Sequence, residues 1–196
     1  LSTELTSNPA QGDVPYGTLT TMSESPFRFG LIYVGTDDGM IHLSKDGGYT
    51  FTLLSAKFPK GLSVSRVLAS AYSESRVYAT LNGYRNDHFN AYVYVSDDYG
   101  TTWKQIMKDL PLEAVNVITE DNLSSQVLYV GTDGGLYVST DGGTSSMGWS
   151  KGLPNAVPIH DIVIHPRDNE IILGTHGRSL YTSKLDDLHK KVQVKK

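Results

Sequence analysis

The sequence predicts an all-β chain, a β-propeller of about four blades, each an antiparallel four-stranded sheet. Two patterns that share one period predict it. The first is an apolar or Tyr run closed by Gly or Ala and then Thr. It occurs as Ile32-Tyr33-Val34-Gly35-Thr36, Val77-Tyr78-Ala79-Thr80, Leu128-Tyr129-Val130-Gly131-Thr132 and Ile171-Ile172-Leu173-Gly174-Thr175, so the Gly/Ala positions step by 44, 52 and 43 residues. The second is Ser44-Lys45-Asp46-Gly47-Gly48-Tyr49-Thr50-Phe51, repeated as Ser96-Asp97-Asp98-Tyr99-Gly100-Thr101-Thr102-Trp103. A third copy, Ser139-Thr140-Asp141-Gly142-Gly143, is interrupted by Thr144–Gly148 before Trp149. A period of ~40–50 residues holding four short strands is the signature of propeller blades. Composition agrees, since 19 Gly and 12 Tyr in 196 residues suit short strands joined by tight turns.

The units run approximately over 18–58, 63–110, 114–153 and 159–184, with 185–196 left as a tail or linker. In the third unit the strands fall near Val115–Thr119, Val127–Gly131, Gly135–Ser139 and Trp149–Lys151, separated by turns of Asp, Asn, Gly and Ser. The fourth unit is the weakest. Its Ser183-Lys184-Leu185-Asp186 has lost the turn glycines and no fourth strand is evident. Leu188–Lys196 carries four Lys and reads as a solvated terminus.

Composition excludes several classes. A chain that is 39% hydrophobic and 19% charged is a folded one. A net charge of −4 without a Lys/Arg block gives no nucleic-acid surface. No apolar run approaches the ~18 residues of a membrane span. With zero Cys there are no disulfides, no thiolate chemistry and no Cys-ligated zinc. The polar start at Leu1–Gly12 shows no signal peptide, and the missing initiator Met reads as a processed or excised piece of something longer. Nothing calls for a cofactor or a metal. No run matches an EF-hand loop, and the recurring Asp is better used in backbone bonding than in holding calcium.

In each Ser-x-Asp-x-Gly turn the carboxylate accepts backbone N–H groups across the turn, Gly permits positive φ, and the following Trp or Phe starts a strand. Asp46, Asp98 and Asp141 are therefore structural, since a catalytic carboxylate has no reason to recur once per blade. These turns resemble the bacterial neuraminidase repeat, or Asp-box, of sialidases, xyloglucanases and sortilin-type ectodomains. Further stretches are similar to the sortilin-like propellers of large secreted bacterial proteins that are often labelled glycosyl hydrolases. They include Gly17–Thr21, Tyr33–Gly39, Val64–Val67, Asn82–Phe89, Val115–Ile118, Leu153-Pro154, Val157–Asp161, Ile164–Asp168 and Gly174–Ser179. The resemblance implies the C-terminal blades of a larger propeller in a secreted, periplasmic or cell-surface protein, with the remaining blades of the parent chain as partners. It carries over no catalytic group, because the sialidase arginine triad and Tyr nucleophile have no counterpart here.

Up-and-down strand order places the function. The Asp turns and the first-to-second turns share one end. The second-to-third turns and the links between blades gather at the other, where closed propellers surround a central pocket. That second end holds Asp37, Asp133, His176 and Arg178, the approach to His160, and the long loop 82–90 with Tyr84, Arg85, Asp87 and His88. An inserted loop of this composition suits a glycan or protein ligand. It also suits padding against a neighbouring blade. His160 and His165, five apart on one strand, point to opposite faces and make a poor metal pair. No Gly-x-Ser-x-Gly, Gly-Lys-Ser/Thr or His-Glu-x-x-His occurs. Glycoside hydrolysis needs two carboxyls at ~5–9.5 Å, and Asp37 and Asp87 on this face are the candidates for such a pair. The function expected is thus a repeat scaffold or binding module. The alternative is one wall of a polysaccharide-acting glycoside hydrolase. Open blade ends expose apolar sheet faces, so self-association of the isolated chain is a third expectation.

Overall fold

The computed structural model describes residues 17–54 and 58–193. They form four antiparallel sheets in which each strand pairs with its neighbour in sequence. Blade 1 is β1 (Leu19–Glu24), β2 (Ile32–Thr36), β3 (Ile41–Ser44) and β4 (Thr52–Leu54). Blade 2 is β5 (Ser63–Ala69), β6 (Val77–Gly83), β7 (His88–Ser96) and β8 (Lys104–Ile106). Blade 3 is β9 (Val115–Glu120), β10 (Leu128–Thr132), β11 (Leu136–Ser139) and β12 (Met147–Gly148). Blade 4 has three strands, β13 (Ile159–His165), β14 (Glu170–Thr175) and β15 (Leu180–Lys184), followed by helix α1 (Asp186–Gln193). This is a partial β-propeller of about four blades.

Alternation along the strands splits each blade into two apolar faces, and facing blades share a core. Tyr33, Ile41 and Leu43 of blade 1 pack against Val64, Val67 and Ala79 of blade 2. Tyr78 and Val93 meet Val115, Ile118 and Val130 of blade 3. Tyr129, Leu136 and Val138 meet Ile159, Ile162 and Leu173 of blade 4. The blades approach closely where a side chain is missing. A Cβ on Gly131 would lie 2.6 Å from Val117 and 2.7 Å from Ile159, and one on Gly35 would lie 2.5 Å from Val64.

Each innermost strand carries a bulge at the same place, at Thr20, Ser65, Asn116 and His160. The bulge aligns the blades and shifts one element of the sequence alignment. Thr80, opposite Arg66, is the counterpart of Gly35, Gly131 and Gly174, in place of Ala79. The bulged side chains tie neighbouring blades at the hub. Thr20 Oγ1 donates to the Val64 carbonyl (2.5 Å), Ser65 Oγ to the Val115 carbonyl (2.7 Å) and Asn116 Nδ2 to the Ile159 carbonyl (3.3 Å).

The Asp turns have a common geometry. Asp46 accepts from the Thr50 N–H (2.9 Å), Thr50 Oγ1 (2.6 Å) and Ser44 Oγ (2.8 Å), while Gly48 N–H donates to Ser44 Oγ (2.8 Å). Asp98 repeats this with Thr102 and Ser96. Asp141 repeats it with Ser139 and Ser145. Ser145 thus takes the place of Thr50, and the turn is complete before the insertion, which narrows to Ser146–Gly148. The fourth strand of blade 3, expected at Trp149–Lys151, lies at Met147–Gly148, with the Trp149 N–H still donating to Leu136.

The segment after Lys184, expected as a tail or linker, is built into the fold through residue 189. Leu185 is fully buried. His189 places Nε2 2.7 Å from Asp121 Oδ2, and Asp121 also accepts from Tyr129 OH (2.8 Å) and the Leu123 N–H (2.8 Å). The helix therefore clasps the β9–β10 turn of blade 3. Burial, and then the Asp121 charge, push the Tyr129 phenol far up. No helix among the described residues is long and apolar enough to cross a membrane.

Candidate functional site

A cavity of about 1000 Å³ opens at the hub, at the end of the β2–β3-type turns. It gathers side chains from all four blades. Of the residues picked out in the sequence, Asp37, Tyr84, Arg85, Asp133, His160 and His176 line it. Asp87, His88 and Arg178 are not among its lining residues. Asp87 takes the left-handed conformation (φ 52°) that ends the short 3-10 turn Tyr84–Asn86. His88 Nε2 lies 2.9 Å from Tyr92 OH, inside an aromatic row that continues to Tyr94. Arg178 is exposed in the β14–β15 turn.

The two carboxylates of the cavity are engaged. Asp37 Oδ1 accepts the Gly17 and Thr18 N–H groups (2.8 and 2.9 Å) and fixes the start of blade 1. Asp133 Oδ1 accepts from Asn116 Nδ2 (2.9 Å), whose Oδ1 accepts from Asn82 Nδ2 (2.8 Å). An amide relay thus runs from blade 2 to blade 3. The displaced carboxylates of the described chain are Asp46, Asp98, Asp141 and Asp168, all displaced downward and none lining the cavity. Bonds from Thr50 bring Asp46, and bonds from Thr102 bring Asp98, to about 2. Burial raises Asp141, but bonds from Ser145, Ser139 and Thr144 outweigh it. The Arg167 guanidinium lowers Asp168.

What faces the cavity is therefore planar and donor-rich. Tyr84 is 63% exposed and meets Phe89 edge-on at 6.4 Å. Its N–H donates to Asn82 Oδ1 (2.9 Å), and Asn86 donates to the Gly61 carbonyl, so the loop is anchored at both sides. The imidazoles of His160 and His176 stand 5.3 Å apart at 45°. Arg66 spans from blade 2 to Asp161 of blade 4 (2.7 Å), with its Nε buried and without a hydrogen-bond partner. Sequence reasoning missed Arg66 and Asn116, and had Asn82 only as the first residue of the loop 82–90. The signal that finds Asn116 and places Arg66 is the bulge register, legible only once strands are paired. Among the described residues no group of three or more His, Cys, Asp or Glu is placed to hold a metal ion.

A second cleft of about 1020 Å³ lies on the outer flank between blades 3 and 4, beside β15 and α1. Leu136, Trp149, Leu173, Tyr181 and Leu188 make it predominantly apolar. It offers fewer convergent polar groups than the hub cavity, which is the better candidate site.

No protein-family model matches the chain, and no curated protein matches it by sequence. Solved structures match its fold. The GH74 xyloglucanase of Xanthomonas campestris superposes with a TM-score of 0.67 at 16% identity, over 86% of this chain and 29% of its own. A YCF48 structure bound to a D1 peptide gives 0.63 at 14%, over 85% and 51%. The extracellular domain of a B. thetaiotaomicron protein described as a one-component system gives 0.64 at 20%, over 85% and 21%. The chain thus spans from about a fifth to half the length of these propeller chains. At such identities the likeness shows the fold alone.

Proposed function

We propose that the chain is a recognition module that binds a glycan or protein ligand through its hub cavity. The observation that carries the proposal is the division of labour in that cavity. Its carboxylates hold backbone and amides, while Tyr84, Arg85 and the His160–His176 pair face the open space. An aromatic face beside planar hydrogen-bonding groups suits a sugar ring or an extended peptide. The Asp turns support an Asp-box, sortilin-like assignment. The extracellular neighbour supports a secreted or cell-surface location. In this reading Arg178, Asp87 and His88 flank the cavity and contact only the larger part of a ligand.

The test is binding of the chain to arrays of plant and host polysaccharides. Tyr84→Ala and Arg85→Ala are each expected to weaken binding at least tenfold. Retention of full affinity by both variants would overturn the assignment of this cavity. The likeness to xyloglucanases favours a second reading, in which the arc forms one wall of a glycoside hydrolase cleft. Product release from the same polysaccharides, abolished by Asp37→Asn or Asp87→Asn, would select it.

A further inference from the structure

The bulge residue of blade 3 is an amide where blades 1 and 2 have hydroxyls, and the amide makes bonds that a hydroxyl could not. Thr20 and Ser65 each tie their blade to a carbonyl of the next. Asn116 makes the same tie to the Ile159 carbonyl, with groups to spare. Its Nδ2 also donates to Asp133 Oδ1, and its Oδ1 accepts from Asn82 Nδ2. Asn82 Oδ1 in turn accepts the Tyr84 N–H. A continuous line of hydrogen bonds therefore runs from the β10–β11 turn of blade 3 to the start of the Tyr84–Asn86 turn in blade 2. Its direction is fixed from both ends. The Asp133 carboxylate and the Ile159 carbonyl only accept, so Asn116 must turn its Nδ2 to them. The Tyr84 N–H only donates, so Asn82 must turn its Oδ1 to it. The two amides then meet Nδ2 to Oδ1, and reversing either one would set like groups against each other. Asp37 holds the place of Asp133 in blade 1, its N–H bonded to the Thr18 carbonyl as that of Asp133 is to Ala114. There the carboxylate takes backbone N–H groups and starts no such line.

We infer that Asn116 is the positioning residue of the hub site, orienting the loop that presents Tyr84 and holding it against the strand that carries His160. Tyr84 is 63% exposed, so packing holds it little and its backbone anchors govern where the ring stands. Asn116 itself is buried, at 7% exposure, and keeps its bonds out of competition with water. Its other tie reaches Ile159, the residue before His160, whose imidazole stands beside His176. One buried amide thus sets the aromatic arm of the site on blade 2 and the imidazole arm on blade 4. Asp133 acts one step further back, by fixing which way that amide faces. Groups that bind a ligand must be held in place by such supporting bonds to act together. The role in binding rests on the reading of the cavity as a ligand site, whereas the positioning of Tyr84 is measurable with no ligand present.

The experiment is amide hydrogen exchange of the 196-residue chain, followed residue by residue by NMR. Asn116→Ser copies Ser65, whose hydroxyl makes the tie to the next blade but is too short to bridge Asp133 and Asn82. In that variant the Tyr84 N–H should exchange about fivefold faster, while the Thr50 and Thr102 N–H groups of the Asp turns keep their rates. Asp133→Ala removes the acceptor two amides away from Tyr84 and should speed the same N–H about threefold. Asp133→Asn can still turn an oxygen to Asn116 and should restore native protection, a rescue that general loosening of the blades would not produce. This pair carries the test if Asn116→Ser fails to fold by circular dichroism. On the arrays of plant and host polysaccharides, Asn116→Ser and Asp133→Ala should each weaken binding about fivefold, and Asp133→Asn should bind as the native chain does. Native exchange at Tyr84 in the folded variants would overturn the inference, whatever the cavity binds. Equal exchange in Asp133→Ala and Asp133→Asn would overturn the role of Asp133, and native affinity with Tyr84 released would overturn the role of Asn116. A native chain that bound none of the polysaccharides would defeat the reading of the cavity instead, and the exchange rates would still decide the positioning.

Discussion

At the Asp-turn end of the blades the same bonds are made three times, by Asp46, Asp98 and Asp141, while at the hub-cavity end, Asp37 and Asp133 apart, the side chains presented differ from blade to blade. At the first end each of these three carboxylates is satisfied within four residues of its own position. The second is stitched by contacts between distant parts of the chain, such as Arg66 with Asp161 and Asn116 with both Asp133 and Ile159. The difference teaches that repetition here marks where the chain stabilises itself, and departure from repetition marks where it has groups to offer outside. Substitutions at the two ends should separate stability from binding.

The largest effect is expected in the cores that carry both ends. Leu185→Ala removes a fully buried side chain where α1 leaves blade 4 and should cost about 2–5 kcal/mol in urea unfolding. Gly131→Ala forces a Cβ against Val117 and Ile159 and should cost about 1–3 kcal/mol. A loss under half of that would show that the blades have more room to separate than the close approach implies.

The acid limb of stability tests the Asp-turn end. Asp46 and Asp98 sit at about 2, below the ordinary 3.8. A carboxylate lowered on folding stabilises the native state fully above its unfolded value, and that stabilisation is lost as pH falls through the folded value. Stability should therefore fall from about pH 4 toward pH 2, and Asp98→Asn should lower the melting temperature at neutral pH while flattening that acid slope. Ligand affinity at neutral pH should not change. The smallest stability effect belongs to the other end. Arg85→Ala, on an exposed loop, should move unfolding by less than about 0.5 kcal/mol while weakening binding. If Arg85→Ala destabilised the chain strongly, the loop would be padding for a neighbouring blade, and the contrast between the two ends would fail.

Much of the fold was legible because it rests on local chemistry. The Ser-x-Asp-x-Gly turns, the apolar-Tyr strands and the missing fourth strand of blade 4 are all readable over a few residues. The third turn was read as interrupted at Thr144, because Ser145 does not look like Thr50 until its hydroxyl is seen on Asp141. The register of blade 2 was read one residue early, because Ala79 mimics Gly35 in size while the bulge sets Thr80 in its place. The C-terminal segment was read as solvated because its Lys residues mask Leu185 and His189, whose partners lie far back in the chain.

By itself the sequence determined the repeat, the hairpin turns and the end of the blades at which the varied loops collect, since each follows from side-chain period and turn chemistry within one blade. Only the tertiary structure decided which of those loop residues share the cavity, that Asp37 and Asp133 hold the scaffold together, and that Arg66 reaches Asp161. Those outcomes depend on the bulges and on the packing of blade against blade. Such packing brings together residues up to 95 positions apart, a distance over which no local pattern carries information.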